Sequence, residues 1–191
     1  MKEIVVNKRE DEKGGMVMFT FRFKTLGQLL DEDVPDWAPG KELTDGAEEA
    51  IAGHIDEYRV KRPASVVIEL PEPELAATPA SGITDAVRHH FTFRQDDLTH
   101  DLKISLREGM YSIILMLVNI VLLLGFFAYI TVNEIPVESL IVIIIFAFLT
   151  ILNWATIWDT YEHFVYDHRN LARKRKIFRK ITGIPITVRG Y

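Results

Sequence analysis

Asp159, His163 and Asp167 recur at a spacing of four residues, and Glu162 sits beside the histidine. On a helix, positions i, i+4 and i+8 share one face. Two carboxylates flanking an imidazole can ligate a divalent cation or relay a proton. The segment Trp158 to His168 directly follows a long apolar run, and ionisable groups near membrane depth are functional candidates by default. Two plainer uses compete with that chemistry: a hydrogen-bonded network that locks the helix to its neighbour, or contact with lipid headgroups. Elsewhere the sequence is poor in reactive patterns. It has no cysteine, which removes disulfides, thiolate nucleophiles and cysteine-based metal sites. Phosphate-cradling GxxxxGK[ST], dinucleotide GxGxxG, HExxH and GxSxG motifs are all missing. His89 and His90 are adjacent on a helix and point about 100° apart, so they cannot chelate one ion together. His54 falls on an apolar stripe and reads as a satisfied core histidine. No catalytic residue, metal or cofactor is therefore assigned, and the chain is not expected to be an enzyme.

The elements that position this segment are two apolar runs. Met110 to Val132 is free of charge, as is Leu140 to Trp158 apart from the polar Asn153. Helices of these lengths match a hydrocarbon core of about 30 Å. Asn119 and Asn153 are expected to bond across the pair, and Gly125 to mark a close approach. The 191 residues carry a net charge of −5, with 22 Lys and Arg against 27 Asp and Glu. That charge is unevenly placed. Residues 1–100 hold 12 basic and 20 acidic side chains, and residues 101–191 hold 10 and 7. Between the runs, Asn133 to Ser139 contains Glu134, Pro136 and Glu138 and no basic residue. Residues 168–191 carry eight Lys and Arg and no acid. By the positive-inside rule both termini are cytoplasmic and the short acidic loop is outside. Trp154, Trp158 and Tyr161 then form the inner aromatic belt.

The rest of the pattern predicts an α+β protein: a small cytosolic α/β domain of about three strands, and a two-helix transmembrane hairpin with long helical extensions. Ile4–Asn7, Met16–Lys24 and Ser65–Leu70 read as strands, the second by strict alternation of Val17, Phe19, Phe21 and Phe23. Gly14-Gly15 reads as the turn of a hairpin, and residues 31–40 as an acidic loop. Thr25–Leu30 reads as a short helical turn. Thr44 caps a helix that runs to about Tyr58, and Pro71–Ser81 reads as a linker. Ile83, Val87, Phe91, Leu98 and Leu102 form a stripe leading into the first span, so one long helix is expected, broken if anywhere at Gly109. The divisions are an acidic α/β domain at 1–81, a stalk at 82–109, spans at 110–132 and 140–158 around the loop 133–139, and a basic helix and tail at 159–191. Aligning the span ends places residue 110−k beside 158+k. Asp96 and Asp97 then face Arg169 and Arg173. The basic residues Arg169, Arg173, Lys174, Arg175, Lys176, Arg179 and Lys180 thus have two candidate partners, the acidic stalk or anionic lipid.

The juxtamembrane segment resembles a group of uncharacterised prokaryotic two-span membrane proteins. These have an acidic N-terminal α/β domain and close on Trp-x-Pro-x-Glu-x-Phe-Leu-Tyr-Asp-Trp-Trp-Pro and a basic helix. Trp158, Glu162, Phe164, Tyr166 and Asp167 match. Thr160 stands at the first proline, and His168-Arg169-Asn170 at Trp-Trp-Pro. Residues 21–30 and 83–91 are similar too. The resemblance implies a fold and a membrane location, with no activity attached. Two functions are expected from the residues. One is a membrane-anchored structural or interaction protein, oligomeric with itself, contacting lipids and a cytosolic or membrane protein, and not nucleic acid. The other is a ligand- or ion-responsive regulator, or a channel-like oligomer, built on Asp159, Glu162, His163 and Asp167.

Overall fold

A computed structural model of the chain describes residues 4–10, 15–31 and 41–191. Gly14 of the expected turn and residues 32–40 of the expected acidic loop lie outside the described residues. The chain forms a four-strand sheet and several helices, two of them long and apolar enough to cross a membrane. Its residues group into two compact units, Met1–Leu98 with Lys174–Tyr191, and Thr99–Arg173.

The first unit is built on β1 (Val5–Glu10), β2 (Val17–Arg22), β3 (Ala64–Leu70) and β4 (Ile186–Gly190), in that spatial order. β1 runs antiparallel to β2, while β2–β3 and β3–β4 are parallel. The β2–β3 crossover carries α1 (Leu26–Leu29) and α2 (Asp45–Asp56). Thr44 caps α2 as expected: its Oγ1 accepts the Ala47 N–H at 3.2 Å. The alternation in β2 does its predicted work. Phe19 and Phe21 stand beside Val66 and Ile68 on one face, all fully buried. Tyr58, just past α2, meets Phe19 edge-on at 5.5 Å. The opposite face carries Asn7, Arg9, Arg22, Thr187 and Arg189, all exposed. Four strands form rather than about three, because Ile186-Thr187-Val188 supplies a short alternating run that pairs with Val66, Val67 and Ile68. Part of the basic tail is thereby a strand of the α/β unit. Residues 72–77, expected as linker, form α3 (Glu72–Ala77), with Pro73 in the first turn where its missing N–H costs nothing.

Helix α4 runs unbroken from Ala80 to Val132, through Gly109. Its predicted stripe is buried throughout, Ile83, Val87 and Phe91 completely. It ends where Glu134 takes a left-handed φ of +50°, returning the Ile135 N–H to the Ile130 carbonyl at 3.0 Å. After Pro136, α5 (Leu140–Glu162) begins. A π-turn, His163–Asp167, leads into α6 (His168–Gly183), so that Leu140–Gly183 is one helical run of 44 residues.

The register of the second unit differs from the expected one. Aligning the span ends puts Gly109 beside Asp159, whereas Asn119 and Asn153 bond across the pair as expected, both 17 residues from Pro136. Ser112 meets Asp159 and Gly109 meets Phe164. The connecting turn, centred on Pro136, fixes the pairing; the points where apolar character ends on each helix do not. Gly125 has no atom of the chain within 4 Å of where a Cβ would stand, so it makes no close approach inside the hairpin.

Candidate functional site

Asn119 and Asn153 are the polar side chains buried between the two apolar helices. Asn153 Nδ2 donates to the Asn119 carbonyl and to the Leu149 carbonyl, each at 3.0 Å. Such bonds pair amide N–H groups that hydrocarbon cannot, and typically contribute about 1 kcal/mol, while Asn153 Oδ1 is buried without a hydrogen-bond partner. Nearly two turns nearer the end of α5, Ser112 Oγ donates to Asp159 Oδ2 at 2.7 Å. That bond engages the carboxylate nearest the apolar run and ties α5 to α4. Glu162 is exposed.

His163 and Asp167 line a different feature, a cleft of about 430 Å³. Asp101, Ser105 and Glu108 of α4 form one wall; His163, Asp167 and Asn170 form the other. His163 Nδ1 lies 3.2 Å from Asp167 Oδ2 but without hydrogen-bond geometry, and both it and Ser105 Oγ are buried without a hydrogen-bond partner. Three carboxylates, an imidazole, a hydroxyl and an amide stand beside Ile104 and Leu171, an acidic cleft with an apolar floor suited to a cation or an ammonium group. Among the described residues, no group of three or more His, Asp or Glu stands close enough to hold a metal ion. The sequence reading missed Asp101, Ser105 and Glu108. Counting back from Pro136 on both helices, instead of from the span ends, places them beside residues 164–171.

Gly109 sets how closely this end of the hairpin packs. It is buried, and an added Cβ would stand 2.9 Å from the Phe164 ring. Gly109→Leu is expected to destabilise the second unit by about 1–3 kcal/mol through overpacking. An earlier melt in detergent, reversed by combining it with Phe164→Ala, checks this.

In the α/β unit the charges serve the fold. Glu48, in the first turn of α2, is almost fully buried. It accepts from Arg94 Nε at 2.8 Å and from His90 Nε2 at 3.0 Å, and Lys174 Nζ lies 3.8 Å away. Burial pushes its carboxyl up, but hydrogen bonds from His90 and Arg94 outweigh that and hold it at about 2. His90 is itself oriented by the Leu43 N–H, which donates to Nδ1 at 3.2 Å. The geometry thus suits the neutral Nε2–H tautomer. His89 is exposed. His54, expected in the core, is half-buried and bonds Glu57 at 2.7 Å. Glu57 also bonds Lys8. Glu69 of β3 sits in register between Arg22 and Arg189, receiving their Nε groups at 2.8 and 3.0 Å. Burial raises its carboxyl, and the two guanidinium groups bring it below the usual range.

Of the basic residues singled out in the tail, Lys174 joins the Glu48 cluster, and Lys180 is half-buried with its pKa lowered by burial and by Arg62. Arg169, Arg173, Lys176 and Arg179 are exposed, and Arg175 is half-buried. Asp97 lies 3.8 Å from Arg94 on its own helix, and Asp96 is exposed. No protein-family model matches the chain, and no match was found among curated proteins or solved structures.

Proposed function

We propose that this chain is a membrane-anchored structural and interaction protein. In this reading the hairpin spans the bilayer, both termini are cytoplasmic, and the α/β unit is offered to protein partners at the inner membrane face. The observation that carries it is a pair of helices long and apolar enough to cross a membrane, joined through the turn at Pro136, on the same chain as a separate compact α/β unit. The chemistry of the α/β unit agrees, since its buried acids Glu48 and Glu69 are each held by cations that the fold supplies. Self-association and lipid contact belong to the same proposal.

The acidic cleft favours a second reading, a ligand- or ion-responsive regulator using Asp101, Glu108, His163 and Asp167. Native mass spectrometry of the full chain, extracted from its own membrane in mild detergent, separates the two. A defined oligomer or a stoichiometric second protein supports presentation. A bare monomer with neither would sink it, and a fixed added mass lost on His163→Ala would move the assignment to the cleft.

A further inference from the structure

The π-turn has a consequence for the outer surface of the helical run. On a regular helix, Trp154, Trp158 and Tyr161 would be followed on the same stripe by Val165, four residues after Tyr161. The π-turn inserts one residue: the His168 N–H reaches back five positions to the His163 carbonyl. Tyr166 therefore takes the place of Val165. The rings form an unbroken series, Trp154 to Trp158 at 6.5 Å, Trp158 to Tyr161 at 5.9 Å, and Tyr161 to Tyr166 at 6.0 Å. All four are open to the surroundings, 47% to 68% exposed. Beyond Tyr166, regular helical spacing carries the stripe to Arg169 at i+3 and Arg173 at i+7, both exposed. Without the inserted residue, Arg169 would be turned away from Tyr161, and Arg173 from the tryptophans, by most of a right angle.

The stripe thus changes along its length from apolar rings to phenols to guanidinium groups. Counting a hydrocarbon core of about 30 Å from Leu140 puts its edge near Asp159. Tyr161 then falls at headgroup depth, and Tyr166 about 10 Å below that edge. Arg169 starts about 15 Å below that edge, and a long side chain on a tilted helix reaches back toward the phosphates. We propose that Trp158, Tyr161, Tyr166 and Arg169 form a docking site for an anionic phospholipid. Trp158 and Tyr161 lie along the acyl and glycerol region, Tyr166 lies at the outer edge of the headgroup, and the guanidinium group takes the phosphodiester through paired N–H donors. Charge complementarity selects this occupant: the phosphate end of the stripe is cationic, while the flanking carboxylate nearest the hydrocarbon, Asp159, is engaged by Ser112.

The test reconstitutes the full chain, carrying Trp37→Phe so that the remaining tryptophan signal comes from Trp154 and Trp158, into phosphatidylcholine vesicles. Tryptophan quenching by brominated phosphatidylglycerol is compared with quenching by brominated phosphatidylcholine at equal mole fraction. The anionic lipid is expected to be preferred at the stripe by about fivefold, with Arg169→Gln abolishing most of the preference and Arg169→Lys keeping it. Because Arg169 is exposed, these substitutions leave the core intact. Equal quenching by the two lipids, or a preference indifferent to Arg169→Gln, would overturn the proposal. So would stronger quenching by the zwitterionic lipid, which would give the site to an ammonium headgroup held by Glu162.

Discussion

Phe91→Ala is expected to unfold the α/β unit under conditions where the wild type is intact. Phe91 is fully buried, and its ring meets Phe178 at 5.3 Å, joining α4 to α6 within that unit. Ile83 and Val87 are equally buried on the same stripe. Truncating such a ring typically costs about 3–5 kcal/mol, a large share of the roughly 5–15 kcal/mol that holds a domain folded. Two residues on, Phe93 is 48% exposed. Phe93→Ala is expected to cost no more than about 0.5 kcal/mol. Limited proteolysis of the two variants in detergent checks the contrast: early cleavage in the α/β unit for Phe91→Ala, a wild-type pattern for Phe93→Ala. Similar patterns from both would mean that α4 does not anchor the domain through this stripe.

The second large effect belongs to Glu48. Glu48→Gln keeps the shape but removes the charge that Arg94 and Lys174 face. Losing one member of a buried ionic cluster costs about 3–5 kcal/mol; Arg94 is partly exposed, and about 2–3 kcal/mol is expected here. The same carboxyl gives a pH dependence. Its pKa falls from an ordinary 4.5 to about 2 on folding. A depressed carboxylate contributes its full share above the unfolded value and loses it as pH falls through the folded one. The wild type should therefore lose about 3 kcal/mol from this group between roughly pH 4.5 and 2, and Glu48→Gln should lose correspondingly less over that window. Thermal melts of both proteins across the acid range measure it; parallel pH profiles would contradict the assignment.

Much of the fold could be read from the sequence where one element carries its own periodicity. The alternation of Val17 to Phe23 named a strand and its buried face, and the stripe from Ile83 to Leu102 named a helix running into the first span. Thr44 marked the start of α2. Features that depend on distant pairing were harder. Three alternating residues, Ile186 to Val188, are too few to declare a strand until β3 lies beside them. The Glu48, His90 and Arg94 cluster joins residues some 40 positions apart, for which no local pattern exists. Asp159, His163 and Asp167 were legible as a spacing, but their partners were not. Ser112 takes the first, while the cleft with Asp101 and Glu108 takes the other two, because the turn at Pro136 sets the register. The π-turn had no visible signature, since its extra residue is defined by a backbone bond and not by any residue type.

The central claim is that the hairpin crosses the bilayer and holds both ends of the chain on the cytoplasmic side. The absence of cysteine makes the test direct. Single cysteines are placed at exposed positions, Glu138→Cys in the turn, Glu49→Cys in α2 and Thr187→Cys in β4. A membrane-impermeant thiol reagent is then applied to intact cells and to lysed ones. Position 138 is expected to label in intact cells, and positions 49 and 187 only after lysis. Labelling of either α/β position in intact cells, or of position 138 only after lysis, would contradict the claim.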